Sequence, residues 1–321
     1  MQKLTIGPND AGRRLDRVLH AAYPSLSTVA IIKAIRTKNI RRNGKRCDPA
    51  DRVEAGDEVS LWLPDDLLAP REITLPPEEL PDPIVLYEDE NILLCEKPTG
   101  LVVHEDDRGT ADTLIARITG YLIRRGEYDP TRENTFAPAL ANRIDRNTCG
   151  IVIAAKNAEA LRILSEKIRD REIEKSYLCI VLGCPDPPRG TLRHVLLKDE
   201  KDKSVRVFDH TVPGGRTAVT EYETLARSGP LSLLRCTLGT GRTHQIRAQL
   251  AAVGHPLLGD GKYGDFEQNR RYHEKEQALC SYRLTFAFTT PAGCLSYLSG
   301  RTFRVRSVPF VTKYGFELPA D

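Results

Sequence analysis

The chain has 321 residues, 40% of them hydrophobic and 28% charged, with a net charge of +3. That is length enough for two folded cores, and too even a charge for a whole-body polycation. No apolar run approaches the ~18 residues of a membrane span, and the opening MQKLTIGPND lacks the pattern of a secretory signal, so a cytoplasmic protein is expected.

The charge is uneven. Residues 1–63 carry twelve Lys/Arg against seven Asp/Glu. Leu15, Val18, Leu19 and Ala22 fall on one face of a short helix. Ser27 can cap a second helix with Ala30, Ile31 and Ile35 on its apolar side, which sets Lys33 and Arg36 about one turn apart and Lys38 just past the end. IRRNGKRC (40–47) reads as a hairpin turning at Asn43-Gly44, and Val59, Leu61 and Leu63 alternate as a closing strand. The spacing R-L-D-x-x-L, then Ser27, I-x-x-I-R, N-G-K and G-D-E resembles the S4 RNA-binding domain, a small α+β unit. The resemblance implies phosphate contact with little sequence reading, through Lys33, Arg36, Lys38 and Lys45.

Residues 64–83 hold six prolines among acidic residues and read as a semi-rigid extended linker. The larger domain, 84–321, opens with short strands at 84–87 and 92–96 around an acidic turn, followed by KPTGLVVH (97–104). Helical periodicity appears at Leu114, Ile118 and Leu122, and again at Ala160, Leu161, Leu164 and Ile168 after a cap at Asn157. Strands are expected at 175–182, 217–225 and 231–238, with strands and loops between 183 and 216. Ile246, Leu250 and Val253 mark a helix that Gly254 can end, and 278–318 offers strand-like segments.

The stretch LANRIDRNTCGIVIAAK (140–156) stands out: a buried-type strand at 151–155 preceded by a loop in which Asp145 lies between Arg143 and Arg146. A solvated loop with a surface ion pair would look the same. The rest of the chain excludes more than it offers. There is no H-E-x-x-H, no G-x-S-x-G, no Walker spacing at GTGRTH, and no C-x-x-C among the eight cysteines. Metal hydrolysis and nucleotide-fold chemistry therefore find no support.

Taken in order, V-L-Y-E-D-E-N-I-L-L-C-E-K-P-T-G-L-V-V-H, N-R-I-D-R-N-T-C-G-I-V-I-A-A-K, K-S-Y-L-C-I-V and G-R-T-H-Q-I-R-A-Q-L-A-A-V-G-H-P-L-L-G-D resemble the motifs of RluA-type pseudouridine synthases over roughly 84–318. An N-terminal S4 domain is the usual companion in members acting on large-subunit ribosomal RNA. The resemblance implies an α+β catalytic domain with a mixed, mainly antiparallel sheet. It also implies conversion of uridine to pseudouridine in RNA without cofactor or metal. Its catalytic Asp falls on Asp145, which must stay ionised in a pocket that excludes water, and the matching guanidinium partner is Arg247. Arg143 is at the position that fills the stack vacated by the flipped base, where a planar guanidinium can do what Lys cannot. Tyr177 would lie against the uracil, its hydroxyl placed to assist proton removal at C5.

Arg242, His244 and Gln245 read as fold-supporting. Asn142 stands where the family has His, and Cys149 where it has a small residue. Two other readings predict different outcomes: an RNA-binding ribosome-assembly protein that works without its chemistry, and a glycosylase that releases free uracil. A monomer is expected.

Overall fold

The computed structural model describes residues 1–105, 109–199 and 201–319. At the N-terminus, β1 (Gln2–Thr5) is followed by α1 (Leu15–Ala22), α2 (Thr28–Arg36), β2 (Ile40–Arg42) and β3 (Glu58–Leu61). The apolar stripes of both helices meet Leu4, Ile40, Val59 and Leu61 from one face of the antiparallel sheet β1-β3-β2. Ser27 accepts from the Ala30 N–H at 3.2 Å, the cap its position predicts, a bond type that stabilises by about 1 kcal/mol.

The Asn43-Gly44 turn forms, with positive φ at both residues (51° and 72°), but its return arm does not become a strand. Arg42 and Lys45 make one isolated bridge, and β2 pairs with β3 instead. Asp57 explains the choice: it accepts from Arg42 Nε at 2.6 Å and from Asn43 Nδ2 at 2.7 Å, tying the turn to the start of β3.

The proline-rich stretch contains no helix or strand, yet its first part is anchored. Leu68 is buried in the N-terminal core, and the Arg71 N–H donates to the Ala22 carbonyl at 3.0 Å.

The larger domain runs β4 (Ile84–Glu88), β5 (Ile92–Lys97), α3 (Leu114–Arg124), β6 (Ala139–Leu140), β7 (Cys149–Ala155), α4 (Ala158–Arg169), β8 (Ile173–Leu182), β9 (Arg189–Asp199) and β10 (Ser204–Phe208). It continues with β11 (Arg216–Ser228), β12 (Leu231–Leu238), α5 (Gln245–Ala252), α6 (Phe266–Arg271), β13 (Leu279–Phe286), β14 (Thr302–Arg304) and α7 (Pro309–Lys313). Among the described residues one sheet runs β10-β9-β11-β12-β8-β13-β7-β5-β4, with β14 on β13 and β6 on β7. Its ladders are antiparallel except β13 with β7, so the sheet is mixed and mainly antiparallel, as expected.

β7 is apolar and buried from Ile151 to Ala155 because the sheet is covered on both faces, by α4 and the C-terminal segment on one side and by α3 and α5 on the other. The crossing of β7 and β13 is closer than any side chain allows: Gly150 has φ +109°, and a Cβ there would lie 2.3 Å from the Ser281 carbonyl oxygen.

Two further expectations need correction. Val253 lies just past α5 and is 41% exposed; the helix instead buries Gln245, Arg247 and Gln249 among polar partners. The segment after 278 is not all strand, since it holds a 3-10 turn at Gly293–Leu298 and α7. No helix among the described residues is long and apolar enough to cross a membrane.

Candidate active site

The loop from β6 to β7 carries Asp145, and buried groups hold it from behind. Lys97, wholly buried at the end of β5, donates its ammonium to the carbonyls of Pro98 (2.8 Å), Leu101 (2.7 Å) and Arg146 (2.8 Å). Three carbonyl dipoles replace water around this cation, while burial pulls its pKa down to about 8. One ammonium thus ties the Lys97–Leu101 turn to the residue after Asp145. The Thr148 N–H donates to the Asp145 carbonyl at 3.1 Å, and Gln277 Nε2 donates to Thr148 Oγ1 at 2.9 Å. Asn142 is buried and its Oδ1 accepts from the Ile153 N–H at 2.8 Å, so the residue that departs from the family pattern supports the strand behind the loop.

The Asp145 carboxylate faces α5. Arg247 Nη1 donates to Asp145 Oδ2 at 2.7 Å, while its Nε and Nη2 donate to Asp260 Oδ2 and Oδ1 at 2.7 and 2.9 Å. The Asp260 side chain has no exposure, that of Arg247 8%, and that of Asp145 29%. The planar fork is therefore seated on a buried carboxylate along one edge and presents its remaining corner to the partly open one. Burial alone would raise the Asp260 carboxyl, but the Arg247 guanidinium and the N–H groups of Lys262 and Tyr263 outweigh it and hold it below the ordinary range. The two carboxylates in turn raise Arg247 further despite its burial. Asp260 sits between Gly259 and the turn at Gly264. A Cβ at Gly259, where φ is +77°, would meet the Glu276 carbonyl oxygen at 2.0 Å.

His244, with φ +52°, precedes α5 and brings Nε2 to 3.9 Å from Asp145 Oδ2. Its Nδ1 is 2.8 Å from the Tyr263 hydroxyl, and burial lowers its pKa, which favours the neutral ring at pH 7. Gln245 does support the fold: Nε2 donates to Val219 O and Thr220 Oγ1, and Oε1 accepts from Thr240 and from the Arg242 N–H.

Tyr177 lies on β8, opposite Cys236 of β12 and Ser281 of β13. Burial, with the charge of Asp145 adding to it, pushes its hydroxyl up to about 12. It is a neutral phenol near pH 7, able to pack against a base and to relay a proton through its oxygen, but not to act as a phenolate.

Arg143 is exposed, close enough to His104 to help burial lower that ring's pKa. The structure thus sets Asp145 on Arg247 and close enough to Tyr177 for its charge to act there, with Arg143 exposed two residues before Asp145. Lys33, Arg36, Lys38 and Lys45 are all exposed on the separate N-terminal module.

Two residues of this site carried no role in the sequence reading, Lys97 and Asp260. Both stand in quoted motifs, K-P-T-G and P-L-L-G-D. The available signal was an ionisable residue set among apolar and turn residues, where a buried charge needs a partner.

The fold thus sets one partly open carboxylate, Asp145, on a buried arginine clamp, with the buried Tyr177 close enough to feel its charge. Residues 91–252 match the RNA pseudouridylate synthase family model and residues 13–59 match the S4 domain. The chain belongs to that family and is an RNA pseudouridine synthase with an N-terminal S4 domain. Among relatives it is 32% identical over 286 residues to Ribosomal large subunit pseudouridine synthase C of Escherichia coli K12, covering 86% of this chain and 84% of that one. It is 33% identical over 252 residues to an uncharacterized RNA pseudouridine synthase of Chlorobaculum parvum, covering 78% and 75%. Among solved structures, Human RNA Pseudouridylate Synthase Domain Containing 4 shares the fold, with TM-score 0.57 and 19% identity over 73% of this chain and 94% of that one.

Proposed function

We propose that this enzyme modifies uridines of large-subunit ribosomal RNA in the cytoplasm, as a monomer, with residues 1–63 as RNA-binding module, 64–83 as linker and 84–321 as catalytic domain. The relatives named for the large ribosomal subunit, which align over most of the chain, support the substrate. The observation that carries the catalytic reading is the 2.7 Å contact of Asp145 with an arginine already fixed by Asp260. Asp145 is the reacting carboxylate, and Arg247 offsets the cost of keeping it ionised once RNA seals the pocket.

The reaction breaks the C1′–N1 bond, turns the base, forms a C1′–C5 bond and moves the C5 proton. N1 regains a proton, so the product is an isomer and no co-substrate is consumed. Asp145 is needed whether it attacks the sugar or the base. Tyr177 forms the floor for the uracil and, as a neutral phenol, relays the C5 proton. Arg143 occupies the stack that the flipped uridine leaves.

The test is a pseudouridine map of unmodified large-subunit ribosomal RNA incubated with wild type or with Asp145→Asn. Discrete new pseudouridines with wild type and none with the variant are expected. Equal modification by both would remove Asp145 from its role, and modification confined to other RNAs would remove the ribosomal assignment.

A further inference from the structure

The N-terminal module does not hang from a free tether. Asp10, with no exposure at all, accepts from Asn134 Nδ2 at 3.0 Å, from Thr135 Oγ1, and from Arg13 Nη1 at 3.3 Å, while Arg13 also donates to Thr135. Asn134 Nδ2 donates as well to the Thr5 carbonyl at 2.8 Å. Asn9 spans two catalytic-domain elements: Nδ2 donates to Glu133 Oε1 at 2.8 Å, and Oδ1 accepts from the Ala158 N–H at the start of α4 at 2.9 Å.

The linker adds a third strap. Arg71, its backbone already bonded to the module at Ala22, donates to the carbonyls of Glu133 (3.4 Å), Thr135 (3.3 Å) and Phe136 (2.8 Å). A buried carboxylate bonded, among the described residues, across and beside this seam would be costly if the seam opened to leave it unpaired, so the bonds act as one latch. The latched segment is also close in sequence to the chemistry: Phe136 is in the catalytic core, β6 follows at Ala139, and Asp145 comes nine residues after Phe136.

We propose that this seam, through Asn9, Asp10, Arg71 and the 133–136 loop, fixes the S4 module's RNA-binding face at one distance and orientation from the catalytic pocket. These are then positioning residues that select which uridine is modified. A module on a loose tether would only raise the local RNA concentration and would leave many uridines reachable. A module held rigidly admits only those uridines that lie at the matching offset from the structured RNA it grips. The inference rests on the catalytic reading above only for where the offset is measured to. An Asp145→Asn enzyme that still reacts would remove that reading and leave the wild-type site map, on which the seam is judged, intact.

The test uses the full chain with Asn134→Ala, Thr135→Val and Arg71→Ala together. These changes lie outside the N-terminal core and leave Asp10 in place. Small-angle scattering reads whether the seam has opened. Tritium release from a short single-stranded RNA reads the chemistry, and a pseudouridine map with KM on structured ribosomal RNA reads selection.

The expected result is a larger radius of gyration, short-RNA kcat within about twofold of wild type, KM on structured RNA raised at least tenfold, and modification spread to additional uridines. Asp10→Asn, which keeps the shape and removes the charge, is expected to shift the same quantities in the same direction by less. An opened seam with an unchanged map and KM would overturn the proposal. So would an unchanged radius of gyration, since these residues would then not be what holds the module.

Discussion

Asp260→Asn tests whether the buried carboxylate behind Arg247 matters to the reaction. Asp260 accepts four N–H groups: two from Arg247, at 2.7 and 2.9 Å, and the backbone amides of Lys262 at 2.8 Å and Tyr263 at 3.1 Å. Asn keeps the volume and one acceptor, but turns an amino group toward donors and leaves a guanidinium in a pocket with too little charge to balance it. Breaking a buried pair by removing one partner costs about 3–5 kcal/mol, and the retained acceptor points to the lower end. At about 3 kcal/mol a domain of this size loses roughly 6–12 °C in Tm.

The kinetic consequence is separate. Arg247 freed along one edge can tilt, and a displacement of about 1 Å at a reacting group costs on the order of 100-fold in rate. The expected outcome, measured by tritium release from C5-labelled uridine RNA at 25 °C on protein shown folded by circular dichroism, is kcat down about 100-fold with KM within about threefold. KM is expected to hold because Asp260 is buried beneath Arg247 and offers no surface for RNA to touch. A folded variant with the expected loss of Tm and wild-type kcat would refute the link from clamp to catalysis. A rise in KM with kcat unchanged would refute it differently, by making Asp260 part of RNA binding.

Three further outcomes follow from other parts of the molecule. Gly150→Ala places a methyl 2.3 Å from the Ser281 carbonyl oxygen at a φ of +109°, so the β7–β13 crossing cannot close; soluble folded protein is expected to be lost, and a variant melting within a few degrees of wild type would refute the close approach. Glu172, bonded to Lys167 at 2.7 Å, has its pKa lowered to about 2, so it contributes stability that is present above its unfolded value of about 4.3 and is lost as pH falls toward about 2. Glu172→Gln is expected to flatten that acid decline in Tm, and an unchanged decline would count against it.

Lys33→Ala with Arg36→Ala removes two exposed cations from α2. If both contact phosphate, the slope of log affinity against log salt becomes shallower by about 1.4–1.8. Trp62, the chain's only tryptophan, lies under Arg41 at 5.3 Å on the same module and serves as the fluorescence reporter. An unchanged slope would place RNA elsewhere.

Local physics made much of the fold legible. The Ser27 and Asn157 caps, the apolar stripes of α1 and α3, and the continuous run of β7 each depend on neighbours in sequence, and each forms as the pattern implies. The motif resemblance brought out Asp145 and Arg247 together, and the structure sets them in contact although 102 positions separate them. Sequence adjacency pointed instead to Arg143 and Arg146 as flanking charges, yet Arg143 lies exposed and the Arg146 carbonyl serves Lys97.

What stayed hidden was long-range. Asp260 supports Arg247 only because the chain turns back after α5, and no periodicity records that. The turn after β2 closes at Asn43-Gly44 as its residues imply, but turn chemistry gives the reversal and not the partner strand, which is β3. The prolines of 64–83 indicated stiffness, and could not indicate that Leu68 and Arg71 would be gripped from either side.

The place of β13 has a consequence for the order in which the enzyme comes into being. The strand bearing Tyr177 and the strand that follows Asp145 are not paired with each other; β13 lies between them, antiparallel to one and parallel to the other. During synthesis the chain therefore exposes both halves of its largest sheet, with open edges at β8 and at the Cys149–Gly150 end of β7, until residues 279–286 have left the ribosome and slotted in. The two halves can only be joined late, through contacts of long sequence separation, which fold slowly and leave edges open to mispairing in the meantime. An enzyme proposed to act on ribosomal RNA thus has its two halves joined only after β13 has been made.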